Sequence, residues 1–213
     1  MKLVSYGPFG DERAGLLDGG QIVDIASAMG CAGLAPAVSD MRLFLERPDW
    51  RADLDRLFAV RAQVPAIDAG SVRLGAPVPV PRKLLIAGAN TKSHIAEAVS
   101  VLKVAVAPKQ PMILAKATSS ICGPHDPVVH PPETTKLDYE VELGVVIGKK
   151  CRRIQPGEVR EHVAGFTVIN EMSARDIQLA EHEDNPFFRV HFIGKSFDTF
   201  TPMGPVLVTT DEF

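Results

Sequence analysis

The chain has 213 residues, a net charge of −3, a pI near 6.1 and 46% hydrophobic residues, enough for a sizeable core in one domain or one domain with a small annex. No basic stripe with interleaved aromatics points to nucleic acid, and no apolar run nears the roughly 20 residues needed to cross a bilayer. The N-terminal MKLVSYGPFGDERAG has no apolar centre for a signal peptide, and Cys31, Cys122 and Cys151 stand alone without CxxC spacing, so the expectation is a cytoplasmic protein without a disulfide or zinc framework.

In chain order, residues 1 to about 75 read as a small N-terminal α/β lobe. MKLVSY and QIVDIA have the look of short strands, and the Asp-Gly-Gly of GLLDGGQ is a hairpin signal between strands. MRLFLE and ADLDRLFAVRAQV show helical apolar spacing. APVPVPRK follows, where Pro77, Pro79 and Pro81 remove donors and stiffen the chain into a joint. From residue 76 the chain becomes an α+β, β-dominated body. LLIAGAN is an apolar strand, a helix is predicted from Lys92 to Ala105 with Thr91 or Ser93 as its N-cap, and MILAKA, DPVVHP, YEVELGVVIG, AGFTVIN, HFIGKS and GPVLVTT are strand candidates. SARDIQLAEHE is a helix among them. VLVTTDEF ends the sequence straight after a predicted strand, so this strand closes the fold or the chain is incomplete at its C-terminus.

The residues able to do chemistry begin with LDYEVELGVV. Asp138, Glu140 and Glu142 fall at alternate positions, which on a strand puts three carboxylates on one face, roughly 7 Å between neighbours. Carboxylates so placed repel, and some would take up protons unless something offsets the charge. Two readings stand side by side: a solvated face of an edge strand, and a site for a divalent cation, since Mg²⁺, Mn²⁺ and Ca²⁺ all prefer carboxylate oxygen. Glu171, at the end of the predicted strand AGFTVIN, is placed to join Glu140 and Glu142. Arg175 and Gln178 would share one helix face beyond it, although Glu171 and Arg175 also fit a simple i,i+4 ion pair. His94 and Glu97, at i,i+3, could form a base that activates water, or could lie on a polar helix face. Lys116 and Lys195 sit among apolar residues and need anionic partners; each could anchor a substrate carboxylate or be a strand-end charge. No GxGxxG, P-loop, GxSxG or zinc spacing is present, so no nucleotide cofactor is indicated.

Taken in order, these segments resemble the fumarylacetoacetate hydrolase family. GANTKSHIAEA is similar to the family's G-x-N-Y-x-x-H-x-x-E segment, and PMILAKATSSICGP to P-x-x-F-x-K-P-x-S-x-x-G. LDYEVELGVVIGK resembles D-Y-E-x-E-L, INEMSARDIQ resembles N-D-x-S-A-R-D-x-Q, and GKSFDTFTPMGP resembles G-K-x-F-D-x-F-x-P-x-G-P. Thr91 stands in place of a usual Tyr, Leu114 of Phe, Ala117 of Pro, and Glu171 of Asp. The family's later G-N-T-S-D-M and T-G-T-P-x-G segments are not found.

The resemblance implies a mixed β-roll, usually a homodimer, holding Mg²⁺ or Mn²⁺ (with Ca²⁺ an alternative in crystals) through Glu140, Glu142 and Glu171. It implies His94 and Glu97 as the water-activating pair, Lys195 as a third catalytic residue, and Arg175, Gln178 and Lys116 near the substrate. The implied reaction is hydrolysis of a C–C bond in a 2,4-dioxo acid, of the acylpyruvate or fumarylacetoacetate type, through a metal-stabilised enolate. Isomerisation, hydration or decarboxylation of unsaturated 2-oxo acids or oxaloacetate remains open at the same site, as does a non-catalytic metal- or ligand-binding module. Asp138 is expected beside the site, either supporting the metal ligands from behind or as a salt-bridged group.

Overall fold

The structure is a computed structural model that describes residues 1–88, 90–93, 95–96, 110–180 and 191–213. The strands in chain order are β1 (Lys2–Tyr6), β2 (Arg13–Asp18), β3 (Gln21–Asp24), β4 (Ala66–Asp68), β5 (Leu74–Gly75), β6 (Leu84–Gly88), β7 (Met112–Lys116), β8 (Ile121–Cys122), β9 (Leu137–Asp138), β10 (Val141–Ile147), β11 (Val163–Asn170), β12 (Ser173–Ala174), β13 (Thr201–Pro202) and β14 (Leu207–Thr209). The helices are α1 (Ile25–Cys31), α2 (Met41–Leu45), α3 (Trp50–Val60), α4 (Val159–His162), α5 (Arg175–Gln178) and α6 (His191–Lys195). This is the mixed, strand-rich α+β architecture read from the sequence.

The β2–β3 hairpin forms where Asp-Gly-Gly predicted a turn. Gly19 and Gly20 both take positive φ, +55° and +83°, the pairing a two-residue type I′ turn requires. QIVDIA does not stay extended. Asp24 ends β3 and caps α1, its carboxylate accepting from the Ser27 amide at 2.8 Å, so the helix starts at Ile25.

An eight-stranded sheet runs in the order β10-β11-β14-β1-β2-β3-β4, with β5 also paired to β1. The separate packing expected for residues 1 to 75 therefore gives way to a shared sheet. β1 lies against β14 from the far end of the sequence (Leu3 opposite Leu207), and β14 lies against β11. The core is shared as well. Leu3, Leu16, Met29, Phe44, Trp50 and Leu57 pack in one cluster with Ala164 and Leu207 from the later region. Each fully buried Leu or Phe there is worth roughly 1.5–3 kcal/mol of transfer free energy, so the two regions stabilise one another.

Three other expectations change. DPVVHP forms no strand, since its prolines remove ladder donors. HFIGKS is helical as α6. Gly194 sets the reason: a Cβ there would lie 2.8 Å from the Gln178 amide, so α6 packs backbone-close on α5. SARDIQ begins extended, because Ser173 and Ala174 pair with Asp138 and Leu137, and only then turns helical. Of the helix expected at 92 to 105, residues 92–93 and 95–96 are helical, with Ile95 donating to the Thr91 carbonyl at 2.9 Å; its remainder lies outside the described residues.

β10 is the end strand of the large sheet. Along it Val141, Leu143, Val145 and Ile147 are exposed, whereas Glu142, Gly144 and Val146 face inward to varying degrees. The apolar side faces out and the acidic side faces in.

Candidate metal centre

Three short backbone contacts build the site. β9 pairs with β12, bringing Asp138 opposite Ser173. The Glu171 amide donates to the Glu140 carbonyl at 2.7 Å, and the Arg175 amide to the Lys136 carbonyl at 2.9 Å. Segment 136–140 is thus zipped along segment 171–175, and the side chains of both converge. Below them Met172, Ala174 and Phe200 are buried against Val128, Leu137, Ile177 and Phe197, a rigid floor. Asp176 holds the preceding loop: it accepts from the Thr134 hydroxyl and from the Thr135 amide at 2.8 Å, and these bonds hold its carboxyl at about 2.

Carboxylate oxygens of Glu140, Glu142 and Glu171 lie within 4.8 Å of one another, the one such group of at least three acidic, His or Cys side chains among the described residues. Glu171 is buried, and both its oxygens are occupied. Lys116 donates to Oε1 at 2.6 Å; Lys195 and Ser173 donate to Oε2, Ser173 at 3.2 Å. Glu140 accepts from Arg175 and lies 3.8 Å from the Lys195 ammonium. Asp138 accepts from Arg175 Nε at 2.9 Å, the salt bridge expected of it. Four carboxylates thus meet three cations, and Glu142 is the one left over: it accepts no hydrogen bond and forms no ion pair among the described residues. Burial, then the neighbouring charges of Glu171 and Glu140, hold its carboxyl above the ordinary range despite the two lysines.

The donor set suits a hard divalent cation. It is all oxygen, it carries an uncompensated negative charge, and its unpartnered carboxylate points toward two others. The longer Glu at 171, one methylene beyond Asp, spans to both lysines and still lies within the cluster.

The two lysines differ. Lys116 has an acceptor for each of its three protons: Glu171, the Met172 carbonyl at 3.2 Å and the Phe200 carbonyl at 2.7 Å. Its side chain is 1% exposed, and burial lowers its pKa although Glu171 opposes that. Thr199, just before Phe200, takes φ +67°, a left-handed conformation uncommon for a β-branched residue, and in it the Phe200 carbonyl reaches Lys116. Lys195 meets Glu171 and Ser173 and has no third acceptor at hydrogen-bond distance among the described residues. Gln178 accepts from Arg175 Nη1 at 3.0 Å, and its amide nitrogen lies 3.3 Å from His191. Seven of the sequence-predicted residues therefore stand together: Lys116, Glu140, Glu142, Glu171, Arg175, Gln178 and Lys195. His94 and Glu97 lie outside the described residues. Ser173 and Asp176 belong to the site and were not singled out as site residues from the sequence; the SAR-D spacing beside Glu171 was the available signal.

Comparison with known proteins places this arrangement. A family model described as fumarylacetoacetate (FAA) hydrolase C-terminal matches residues 83–213. The mitochondrial oxaloacetate tautomerase Fahd2a of Rattus norvegicus is 41% identical over 194 residues, covering 91% of this chain and 56% of that protein. Among solved structures, fumarylacetoacetate hydrolase from psychrophilic Exiguobacterium antarcticum is 33% identical with a TM-score of 0.72, covering 100% of this chain and 68% of that one. Maleylpyruvate hydrolase from Sphingobium sp. SYK-6, in complex with manganese (II) ion and pyruvate, is 25% identical with a TM-score of 0.74, covering 100% of this chain and 69% of that one. The chain thus spans little more than half the length of the rat relative and about two thirds of these two structures. With the model matching the segments that carry every residue of the acidic centre, and with these relatives aligned over most or all of its length, the chain belongs to the fumarylacetoacetate hydrolase family.

Proposed function

We propose that the chain carries the centre of a divalent-metal-dependent enzyme acting on 2-oxo or 2,4-dioxo acids. The observation that carries this reading is Glu142, a partly buried carboxylate without a partner among the described residues, beside two others and facing an otherwise charge-matched cluster. Glu140, Glu142 and Glu171 would hold Mg²⁺ or Mn²⁺, which supplies positive charge for the oxygen on which negative charge develops when a 2-oxo acid enolises. The cluster with a divalent ion would carry one net positive charge, suited to an anionic acid.

The chain's own groups divide the remaining work. Lys195, one of whose protons meets no acceptor among the described residues, would turn it to the substrate's carboxylate or developing oxyanion. Arg175 uses three of its N–H groups on Asp138, Glu140 and Gln178 and keeps others for the same purpose. Lys116, with no proton free, is assigned to holding Glu171 rather than to the substrate contact expected from the sequence. His94, with Glu97 three residues on in the sequence, is assigned to deprotonating the water that attacks the far carbonyl, so that hydrolysis would yield a carboxylic acid and a 2-oxo acid. The maleylpyruvate hydrolase bound to manganese and pyruvate supports this choice of substrate class.

A second reading has its own support in the rat oxaloacetate tautomerase, at 41% identity. Tautomerisation needs the same enolate stabilisation and no attacking water. The two separate on substitution: His94→Ala lowers hydrolysis of an acylpyruvate by roughly 10²–10⁴-fold, the usual worth of a general base, whereas metal binding is unchanged. The test of the shared reading is to offer acylpyruvates, maleylpyruvate and oxaloacetate with Mn²⁺ or Mg²⁺ and then add chelator. Turnover that stops with chelator is expected. Metal binding without turnover of any of these acids would leave a binding module in place of an enzyme.

A further inference from the structure

We propose that Ser173 is a positioning residue, whose hydroxyl fixes both Glu171 and Lys195 in their working orientations. The inference rests on the reading of Glu171 as a metal ligand. The Ser173 side chain is fully buried, and its Oγ sits between the Lys195 ammonium at 2.8 Å and Glu171 Oε2 at 3.2 Å. The polarity of these bonds has one solution. An ammonium only donates and a carboxylate only accepts, so the single Ser173 proton goes to Glu171 and a lone pair receives Lys195. The hydroxyl has no other partner among the described residues and cannot turn without leaving one of the two unsatisfied.

The backbone holds that hydroxyl in place. Ser173 lies opposite Asp138 in the β9–β12 pair, with the Glu171 amide bound to the Glu140 carbonyl on one side and the Arg175 amide bound to the Lys136 carbonyl on the other. One small side chain thus ties a proposed ligand to a proposed catalytic ammonium at a point where neither strand can slide. Its neighbour Lys195 raises the rival idea of a Ser–Lys nucleophilic pair. The geometry disfavours it: the Ser173 proton is committed to Glu171, and with no exposed surface the oxygen has no approach to a carbonyl carbon.

The test is Mn²⁺ binding, read from the free-ion electron paramagnetic resonance signal with no substrate present, alongside kcat and KM on whichever 2-oxo acid is turned over. Ser173→Ala removes the hydroxyl with almost no change of volume or charge. Mn²⁺ affinity should fall roughly 10–100-fold, the usual effect of losing a group that orients a metal ligand. kcat should fall with KM little changed, and Ser173→Thr, which keeps the hydroxyl, should recover the affinity. If Ser173→Ala alone does not fold, the same loss is expected when it is added to Lys195→Met, where no ammonium is left short of an acceptor. Unchanged Mn²⁺ affinity in the Ser173→Ala chain overturns the proposal, whatever happens to its unfolding midpoint. Abolished turnover with unchanged affinity also overturns it, in favour of the nucleophile. Failure of the unsubstituted chain to bind Mn²⁺ would instead remove the metal reading on which the proposal stands.

Discussion

Asp24 in the N-terminal region, buried, and Glu142 in the acidic centre, half-buried, carry the same functional group in opposite circumstances. Burial pushes the Asp24 carboxyl up, but a two-pronged contact from Arg13, the Ser27 hydroxyl and amide, and the Tyr6 hydroxyl outweigh it, and its pKa settles at about 2. Glu142 has none of these, and burial with two like charges leaves its pKa raised. A carboxylate that serves the fold is supplied with donors; on the proposed reading Glu142, which has none among the described residues, is kept for a metal ion. The lysines repeat the contrast within the centre itself, Lys116 saturated and Lys195 one acceptor short among the described residues.

The comparison breaks most visibly at Glu171. Glu171→Ala takes the hydrogen-bonded carboxylate from two buried ammonium groups, leaving Lys195 only Glu140 at 3.8 Å, and the chain should lose roughly 3–5 kcal/mol in denaturant unfolding. An unchanged midpoint would mean that Lys116 and Lys195 are held by something else. Next in size, Lys195→Met should lower turnover roughly 10²–10³-fold, in the range for removing one preorganised donor to a developing oxyanion. A loss confined to KM would make Lys195 a simple anchor.

Asp24 sharpens the structural side. Its folded pKa lies below its unfolded value, so the stability it contributes is present above about pH 4 and disappears as pH falls toward about 2. The amount is about 2 kcal/mol, and Asp24→Asn should remove it and flatten that part of the acid limb. If the acid limb is unaltered in the variant, the Arg13 contact is not what holds this corner. Smallest of all is the exposed Arg82–Glu46 contact, where Arg82→Ala should not measurably shift the unfolding midpoint.

What could be read from the sequence followed the range of the interactions involved. The β2–β3 hairpin was legible because Asp-Gly-Gly is a local device, and the acidic triad because Glu140 and Glu142 are two residues apart and Glu171 closes a strand. Phe192 and Ile193 favour a strand in HFIGKS, and what decides for a helix at His191–Lys195 is Gly194 against Gln178, a contact formed only on folding. β1 and β14 pair across nearly the whole chain, which no window of sequence reports. The surroundings of Lys116 are not legible in the sequence for the same reason. Two of its acceptors are main-chain carbonyls, at Met172 and Phe200, and carbonyls carry no sequence signature.

The central claim is that Glu142 is unpartnered because it belongs to a metal ion. Calorimetric titration of Mn²⁺ into the unsubstituted chain and into Glu142→Gln, with thermal unfolding of both in chelator, tests it directly. The account predicts one ion per chain in the former and loss of measurable binding in the latter, while the ion-free Glu142→Gln chain unfolds at the same temperature or higher, because a half-buried, repelled charge has been removed. A Glu142→Gln chain that binds Mn²⁺ as tightly as its parent, or that is less stable without the ion, would contradict it.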